Sequence, residues 1–280
     1  MQYKILTWNV KGESSFGWNN PYIIRSRLVD KFIEQKADIV VLTAFVISKG
    51  IDYLFERLQN EGYIWFTSTR SGKNGILIAV KREILKDDKE LVNKLYEENT
   101  ISSSIEECNI LQVSLPLKCG KFIDITGCRM ETGGSRSLRE QYDHERKILD
   151  EILLPSIKER KSDIQVVCGD FNNARCHGKL NKSYCNKDYI KDNQELAQIN
   201  YNLNIIKDSF DSEVFVMADI RNDGSAIPTH KGSFPDDHIF VRGDTCKKYI
   251  ELSNVLPSDG LSDHDIVIAT IQLMNSIVVS

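Results

Sequence analysis

The chain has 280 residues, of which 41% are hydrophobic and 27% are charged, a composition typical of a globular protein with a substantial core. Its formal net charge of −4 excludes a general attraction to nucleic acid or anionic membranes, so polyanion binding would need a local basic patch. No apolar run approaches the roughly 20 residues of a membrane helix, and the N-terminus leads directly into a strand pattern, without a visible signal peptide. Seven cysteines without a CxxC pair favour reduced thiols. We therefore expect a cytoplasmic protein that does not enter a membrane.

The first part of the chain alternates between strand and helix patterns. The predicted strands are 3–10, 38–43, 63–68 and 75–80. A helix is predicted to begin at Pro21, because Asn20 is a good N-cap and proline suits the first helical position, and to continue to Lys36. A second helix is predicted over 51–59. The charged stretch 86–99 is predicted to be an exposed helix or loop.

The second part contains further strands and one long amphipathic helix. The predicted strands are 110–115, 122–128, 164–168, 238–241 and 266–273. The long helix is predicted over 137–159, with a bend near Pro155, and a shorter one around 194–201. No linker, repeat or composition shift divides the chain. About ten strands and two or three helices therefore predict one domain over residues 1–280, with two packed sheets and helices outside them.

One segment combines a buried strand with polar residues directly after it. The apolar run 164–168 ends at Gly169, which permits a tight turn or a close backbone approach. Asp170 and Asn172 are two positions apart, so an extended backbone would place both side chains on one side. The carboxylate can hold a water or a metal ion, and the amide can donate and accept hydrogen bonds. An ordinary turn is the alternative interpretation, since these are also common turn residues.

Similar polar residues occur where other apolar strands begin or end. Strand ends gather at the two rims of a sandwich, so residues distant in sequence can meet there. These candidate site residues are Asn9, Arg129, Asp170, Asn172, Asp237, Asp263 and His264.

Four motifs relate this set to a known superfamily. They are Thr7-Trp8-Asn9, Gly169-Asp170-Phe171-Asn172, Asp236-Asp237-His238-Ile239 and Ser262-Asp263-His264. In this order the motifs resemble those of the endonuclease/exonuclease/phosphatase superfamily, which includes DNase I and the abasic-site endonucleases. The resemblance covers residues 3 to about 273. It implies a DNase I-like four-layered α/β sandwich of two mixed sheets flanked by helices, and hydrolysis of phosphoesters with Mg²⁺, for which Mn²⁺ is a possible substitute.

The resemblance also implies a role for each residue. Asn9 and Asp263 would belong to the metal site, and Asp170 would position or deprotonate the attacking water, with Asn172 orienting the phosphate. His264 would act as a base or as a donor to a phosphate oxygen, and Asp237 would fix its tautomer. From its position after a strand, Arg129 could clamp phosphate, although a plain surface charge is an equal alternative.

One position departs from the superfamily pattern. The superfamily has a glutamate, its principal metal carboxylate, after the second strand, and Ala44 stands in its place here. A methyl group cannot bind Mg²⁺, so metal affinity and turnover should fall sharply. Either the residue was substituted to inactivate the enzyme, which we favour because the other site residues are intact, or the chain is a natural pseudoenzyme.

The substrate class rests on a basic insertion over 173–191. It carries Arg175, Lys179, Lys182, Lys187 and Lys191 with interleaved tyrosines, which favours contact with a nucleic-acid backbone and its bases. His230 could also reach the substrate, although a solvated loop histidine is the alternative. We therefore expect a nuclease acting on DNA or RNA, here inactivated. The alternatives are a phosphatase or phosphodiesterase for a small nucleotide or lipid headgroup, and a nucleic-acid-binding protein without catalysis.

Overall fold

The computed structural model of the chain describes residues 2–10, 21–46, 51–68, 74–86, 108–130, 144, 147–160, 162–172, 215–217, 228–230, 236–242 and 250–272. The strands are β1 (Gln2–Asn9), β2 (Ile39–Val46), β3 (Tyr63–Thr67), β4 (Asn74–Lys81), β5 (Cys108–Pro116), β6 (Phe122–Met130), β7 (Ile164–Asp170), β8 (Val216–Met217), β9 (Asp237–Arg242), β10 (Ile250–Leu256) and β11 (Ile266–Gln272). The helices are α1 (Pro21–Ile33), α2 (Ile51–Asn60), a short 3₁₀ turn (Arg82–Ile84), a π-helical turn (Leu149–Leu153) and α3 (Leu154–Lys158).

The strands form two mixed sheets. The first has the order β10-β11-β1-β2-β4-β3, and the second has the order β5-β6-β7-β9-β8. Each described sheet contains one parallel pair, β1 with β2 and β6 with β7, while its other neighbouring strands are antiparallel. In each parallel pair the two strands end on the same side of their sheet; β1 ends at the polar residue Asn9 and β7 ends at Asp170.

Three apolar clusters show how the layers pack. The first lies between the sheets and combines residues such as Ile5 and Val41 with Ile125 and Val166. A second cluster packs α1 and α2 on the outer face of the first sheet, and a third packs the π turn and α3 on the outer face of the second. The order helix, sheet, sheet, helix is the four-layered α/β sandwich that the sequence predicts. Within the described residues, none of the helices has the length and apolar character needed to cross a bilayer.

Most of the predicted strands and helices are present in the structure, with the following differences. The sequence did not predict β8 or β10. Residues 137–143, 145 and 146 of the predicted long helix lie outside the described part. Its described end contains a π turn over Leu149–Leu153, followed by α3, in which Pro155 is the second residue. The predictions for 87–99, 173–191 and 194–201 also concern residues outside the described ranges.

Candidate active site

The ends of β1 and β7 come together across the two sheets. Asn9 is the last residue of β1 and Asp170 is the last residue of β7. Asn9 Nδ2 donates a hydrogen bond of 2.6 Å to Asp170 Oδ2 and lies 3.4 Å from His264 Nε2. All three side chains are buried. Residues separated by more than 160 positions in sequence therefore form one polar centre.

Asp170 is held by donors on both of its carboxylate oxygens. Asn172 N donates to Oδ1 at 3.0 Å, and Asn172 Nδ2 donates to Oδ2 at 2.9 Å. Arg129 is the register partner of Asp170 in the parallel pair, and its Nε lies 4.0 Å from Oδ2. Arg129, the residue predicted to clamp phosphate, thus lies beside the carboxylate.

The side chains of Asp170 and Asn172 lie together, but the backbone between them is not the extended one that the main interpretation predicted. We expected an extended backbone, but β7 ends at Asp170 and Asn172 has a φ of 46°, in the left-handed region. Asparagine tolerates this conformation better than most residues because its side chain can form local hydrogen bonds. Its Nδ2 also donates to the carbonyl of Met130. A turn, not strand alternation, brings the amide to the carboxylate.

Gly169 permits the close backbone approach that the sequence suggests. A Cβ built on this residue would lie 1.9 Å from the carbonyl oxygen of Cys128, and its φ is +143°. No side chain fits there, because real Cβ atoms essentially never come within 3.0 Å of another heavy atom. The glycine therefore lets β7 pass against β6 immediately before Asp170.

His264 and Asp237 form a buried dyad. His264 Nδ1 lies 2.7 Å from Asp237 Oδ2, which also accepts a 2.8 Å hydrogen bond from the hydroxyl of Thr229. The loop carrying His264 is tied to β1, because Trp8 Nε1 donates to the His264 carbonyl at 3.0 Å and Ser262 Oγ donates to the Asn9 carbonyl at 2.6 Å. These bonds fix the imidazole ring against the end of β1.

A second histidine lies directly on the first. The rings of His230 and His264 are stacked with centroids 4.3 Å apart and planes 4° from parallel. His230 Nδ1 lies 3.0 Å from Asp236 Oδ2, and its Nε2 lies 3.5 Å from Asp263 Oδ2. Sequence reasoning named His230 only as a loop residue that could reach the substrate, and it missed Asp236 as a site residue. The adjacent pair Asp236-Asp237 was the one available signal.

Ala44 lies within a bulge of β2. Leu42 pairs with Leu77 and Phe45 pairs with Gly75, so Thr43 and Ala44 together face Ile76 on β4. Thr43 is in turn the register partner of Asn9. Ala44 is therefore the next residue in β2 after the one that pairs with Asn9. The strand was predicted to end at Thr43, but it continues to Val46. The φ of Ala44 is 52°, a conformation that favours glycine.

Burial and charge change the protonation of the site. Burial raises the pKa of Asp170 to about 7, with His264 opposing this and Asp237 adding to it. Burial also opposes the charge on His264, but the carboxylates of Asp237 and Asp170 outweigh it and raise the pKa of His264 to about 10. The hydrogen-bonded carboxylate of Asp236 and the nearby carboxylate of Asp263 raise the pKa of His230.

Two groups of side chains have the donor atoms for a metal ion. They are His230 with Asp263 and His264, and Asp170 with Asp237 and His264, and the ligand atoms of each group lie within 4.8 Å of one another. Asp237 Oδ1 is buried without a hydrogen-bond partner among the described residues, so it retains an oxygen suited to a cation. Carboxylate oxygens fit a hard divalent ion. The donor set fits such an ion but lacks the carboxylate that Ala44 cannot provide.

The structure brings most of the predicted site residues together. Direct contacts or ion-pair distances connect Asn9, Arg129, Asp170, Asn172, Asp237 and His264, and the stacked His230 connects Asp263 to the same centre. The predicted substrate residues Arg175, Lys179 and Lys182 lie outside the described residues.

The model of the Endonuclease/Exonuclease/phosphatase family matches residues 6–264. A comparison with curated proteins by sequence finds no match.

Comparison with solved structures shows the fold of this superfamily. A 3′ phosphatase NExo from Neisseria bound to a product DNA hairpin aligns with a TM-score of 0.64 at 15% identity, covering 97% of this chain and 100% of that one. D. rerio TDP2 complexed with single-strand DNA product aligns with a TM-score of 0.60 at 15% identity, covering 97% and 99%. ANGEL2, a 2′,3′-cyclic phosphatase, aligns with a TM-score of 0.60 at 15% identity, covering 97% and 95%.

Proposed function

Because the chain belongs to the Endonuclease/Exonuclease/phosphatase family, we propose that its polar centre is a phosphoester-hydrolysing site that acts on nucleic acid. The observation that carries this proposal is the contact chain from Asn9 through Asp170 and His264 to Asp237. These residues come from separate strands and one loop, yet they meet at one rim. Polar groups buried together at such a position cost folding free energy and are typical of sites that perform chemistry.

Asp170 and His264 are the groups suited to proton transfer. A carboxylate with a pKa near 7 can accept a proton from an attacking water at neutral pH. Asp237 holds Nδ1 of His264, which directs the other ring nitrogen toward Asn9 and the centre of the site. A protonated imidazole there can donate to a phosphate oxygen as negative charge develops on it.

Arg129 and the two amides complete the phosphate environment. The Arg129 guanidinium lies beside Asp170, and its side chain retains 16% exposure, so it can contact the oxygens of an entering phosphate. Asn172 and Asn9 orient Asp170 through their Nδ2 groups. Carboxylate oxygens of either Asp170 with Asp237, or of Asp263 in the neighbouring group, would hold a divalent ion, for which we propose Mg²⁺ with Mn²⁺ as a substitute. When bound, such an ion polarises phosphoryl oxygens and offsets charge on the leaving oxygen.

Two observations favour nucleic acid over other phosphoesters. Two of the similar structures contain DNA, the Neisseria 3′ phosphatase and D. rerio TDP2, which supports a nucleic-acid substrate for this fold. The basic insertion 173–191 follows Asp170 and Asn172 directly in the sequence. The similarity to a 2′,3′-cyclic phosphatase supports a phosphatase acting on nucleic-acid ends as the second candidate.

Ala44 predicts that this chain turns over slowly or not at all. It lies next to the register partner of Asn9, and its side chain provides no oxygen to a cation. A protein that binds nucleic acid at this rim without cutting it is therefore the candidate from another functional class. The remaining acid and base groups are more consistent with a hydrolase that lacks one metal carboxylate.

A substrate panel with two proteins tests the proposal. The chain and its Ala44→Glu variant would be assayed with Mg²⁺ and Mn²⁺ on single-stranded DNA, RNA, a 3′-phosphorylated oligonucleotide and a phospholipid vesicle. We expect hydrolysis of a nucleic-acid phosphoester by the variant and little by the parent chain. Hydrolysis of the lipid alone would contradict the nucleic-acid assignment. An inert variant that still binds DNA would favour the binding protein.

A further inference from the structure

Thr229 lies between the two segments that carry the buried dyad. It is fully buried, and its hydroxyl accepts hydrogen bonds from the backbone amides of Asp236 and Asp237 at 3.1 and 3.0 Å. Its carbonyl accepts a 2.6 Å hydrogen bond from the amide of Asp265, the residue directly after His264. One residue therefore contacts both the beginning of β9 in the second sheet and the loop before β11 in the first.

The hydrogen bonds of the Thr229 hydroxyl have only one possible arrangement. A hydroxyl has two lone pairs and one proton, and a backbone amide can only donate. The two amides therefore take up both lone pairs, and the proton is left for Asp237 Oδ2, which lies 2.8 Å away. This arrangement follows from the backbone donors alone, so it holds whatever the charge of the neighbouring histidines.

The hydroxyl fixes the Asp237 carboxylate in two ways. The terminal torsion of an aspartate is broad, so one contact with His264 would leave the carboxylate able to rotate. Because Oδ2 accepts from Thr229 and lies 2.7 Å from His264 Nδ1, two contacts define its position. The hydroxyl also holds the Asp237 amide, and thus the backbone that carries the side chain. Oδ1 is buried without a hydrogen-bond partner in the described part of the chain, so it adds no further anchor there.

The backbone of the same short segment is attached to the other half of the dyad. Besides the bond from the Thr229 carbonyl to Asp265, an isolated β-bridge pairs His230 with His264. Residues 229 and 230 thus run alongside the His264 segment, while the Thr229 side chain extends to Asp237. The place of Thr229 therefore sets how the carboxylate meets the imidazole.

We propose that Thr229 is the positioning residue of the dyad, whose hydroxyl holds the Asp237 carboxylate in line with His264 across the two sheets. The inference rests on the proposed function, because the dyad acts on a substrate only if this centre hydrolyses phosphoesters. Thr229 acts through Asp237 and does not itself contact the substrate. Loss of the hydroxyl should therefore slow the chemical step and leave KM unchanged.

Three substitutions separate the hydroxyl from the rest of the side chain. Thr229→Ser keeps the hydroxyl, Thr229→Val replaces it with a methyl group, and Thr229→Cys replaces it with a thiol, which is a weaker donor and acceptor. The cysteine variant provides the test if the valine variant does not fold, since valine leaves two buried amides without an acceptor.

Thr126→Val is the matched control for these substitutions. Thr126 is also a buried threonine of the second sheet, and its hydroxyl accepts a hydrogen bond from Gln112, which contacts α3 through Ser156. Its replacement should lower the melting temperature without moving the dyad. It therefore shows what a loss of stability alone does to the measurements.

Proton NMR of the parent chain measures the positioning without turnover or a metal ion. The proton in the 2.7 Å contact between His264 Nδ1 and Asp237 Oδ2 should give a resonance far downfield of the other imidazole protons. Its absence in His264→Gln assigns it. We expect the resonance to persist in Thr229→Ser and Thr126→Val, and to move upfield or broaden by exchange in Thr229→Val and Thr229→Cys. An unchanged resonance in the latter two, or none in the parent chain, would overturn the proposal.

Turnover in an Ala44→Glu background separates this inference from the proposed function. There, Thr229→Val should lower kcat about tenfold to a hundredfold, the usual effect of losing a residue that orients a site residue, while Thr229→Ser and Thr126→Val keep the kcat of Ala44→Glu. Equal kcat in all of these proteins, or a change in KM alone, would overturn the role of Thr229 and leave the hydrolytic site standing. If Ala44→Glu hydrolyses no phosphoester, the proposed function is wrong, and the NMR resonance still decides whether Thr229 positions the dyad.

Discussion

Asn9 donates a 2.6 Å hydrogen bond to Asp170 although the two residues belong to different sheets and are 161 positions apart in sequence. The bond exists because β1 and β7 are inner strands of the two sheets and end at the same rim. His264 joins the pair through Asn9, and Asp237 joins through His264. The packing of the two sheets therefore determines the geometry of the proposed chemistry.

The His264–Asp237 pair should make stability depend on pH. Asp237 raises the pKa of His264 from 6.5 to about 10 despite the opposing effect of burial. A raised histidine pKa contributes stability that is fully present below about pH 6.5 and is lost as pH rises through about 10. We expect His264→Gln to have a lower melting temperature than the parent chain, and this difference should be largest below pH 6.5. The difference should narrow by pH 10, in thermal unfolding followed by circular dichroism with chelator present. A difference that stays constant with pH would count against a charged His264.

Gly169 should be among the least replaceable residues of the site. In Gly169→Ala, the new Cβ would lie 1.9 Å from the Cys128 carbonyl, and the backbone has a φ of +143°. Overpacking and strain together should cost about 4 kcal/mol. Gly62→Ala is the matched control, because Gly62 also has a positive φ of +76° but open space around its Cβ position, and its cost should be about 1 kcal/mol. Urea denaturation measures both, and equal losses would show that the contact with Cys128 is unimportant.

The left-handed backbone at Ala44 gives a second stability prediction. Ala44→Gly loses a buried methyl group but relieves a φ of 52°, so the free energy of unfolding should change by less than about 0.5 kcal/mol. Ala79→Gly, on the neighbouring strand β4, loses a buried methyl group without such relief and should cost about 1.5 kcal/mol. Chemical denaturation of both variants compares them directly. Equal destabilisation would mean that the bulge does not strain Ala44.

The basic insertion should bind nucleic acid through its charges. Neutralising Lys179, Lys182 and Lys187 should weaken the binding of single-stranded DNA and reduce the slope of affinity against salt concentration. Lys118 and Lys121 provide the control, because they flank the turn that precedes β6. The site residue Arg129 lies near the opposite end of β6, about 23 Å away along the strand, so these lysines are far from the site. Fluorescence anisotropy over a salt series measures both sets. If the control substitutions have the same effect, the insertion has no special role.

Much of the fold follows from patterns that are local in sequence. Buried strands such as β2 and β7 are nearly continuous apolar runs, so their prediction needed no tertiary information. β10 was missed because its sequence Ile-Glu-Leu-Ser-Asn-Val-Leu lacks clear alternation. It lies at a sheet edge, and its pairing with β11 shifts register between Glu251 and Asn254. Tertiary pairing, not intrinsic preference, makes this segment a strand.

The sequence predicted which residues form the candidate site and that they lie at strand ends, but not how they contact one another. Motif resemblance identified Asp170, Asp237 and His264, and the structure shows that they meet. The turn at Asn172 was the alternative interpretation of its segment, since Gly, Asp and Asn are common turn residues. The bulge at Ala44 was not predicted, because it depends on the pairing of β2 with β4. The sequence also did not indicate the His230–Asp236 pair. The His230 ring stacks on His264 through a β-bridge between residues that are 34 positions apart, and no sequence period reveals such a contact.

The rate of nucleic-acid phosphoester hydrolysis by Ala44→Glu, compared with Ala44→Glu combined with His264→Gln, tests the central claim most directly. We expect divalent-dependent turnover in the single variant and a loss of at least about a hundredfold when His264 is also replaced, because a positioned acid or base contributes roughly this much. Equal rates in the two proteins, or no turnover in either on any nucleic-acid substrate, would contradict a phosphoester-hydrolysing site built from Asn9, Asp170, Asp237 and His264.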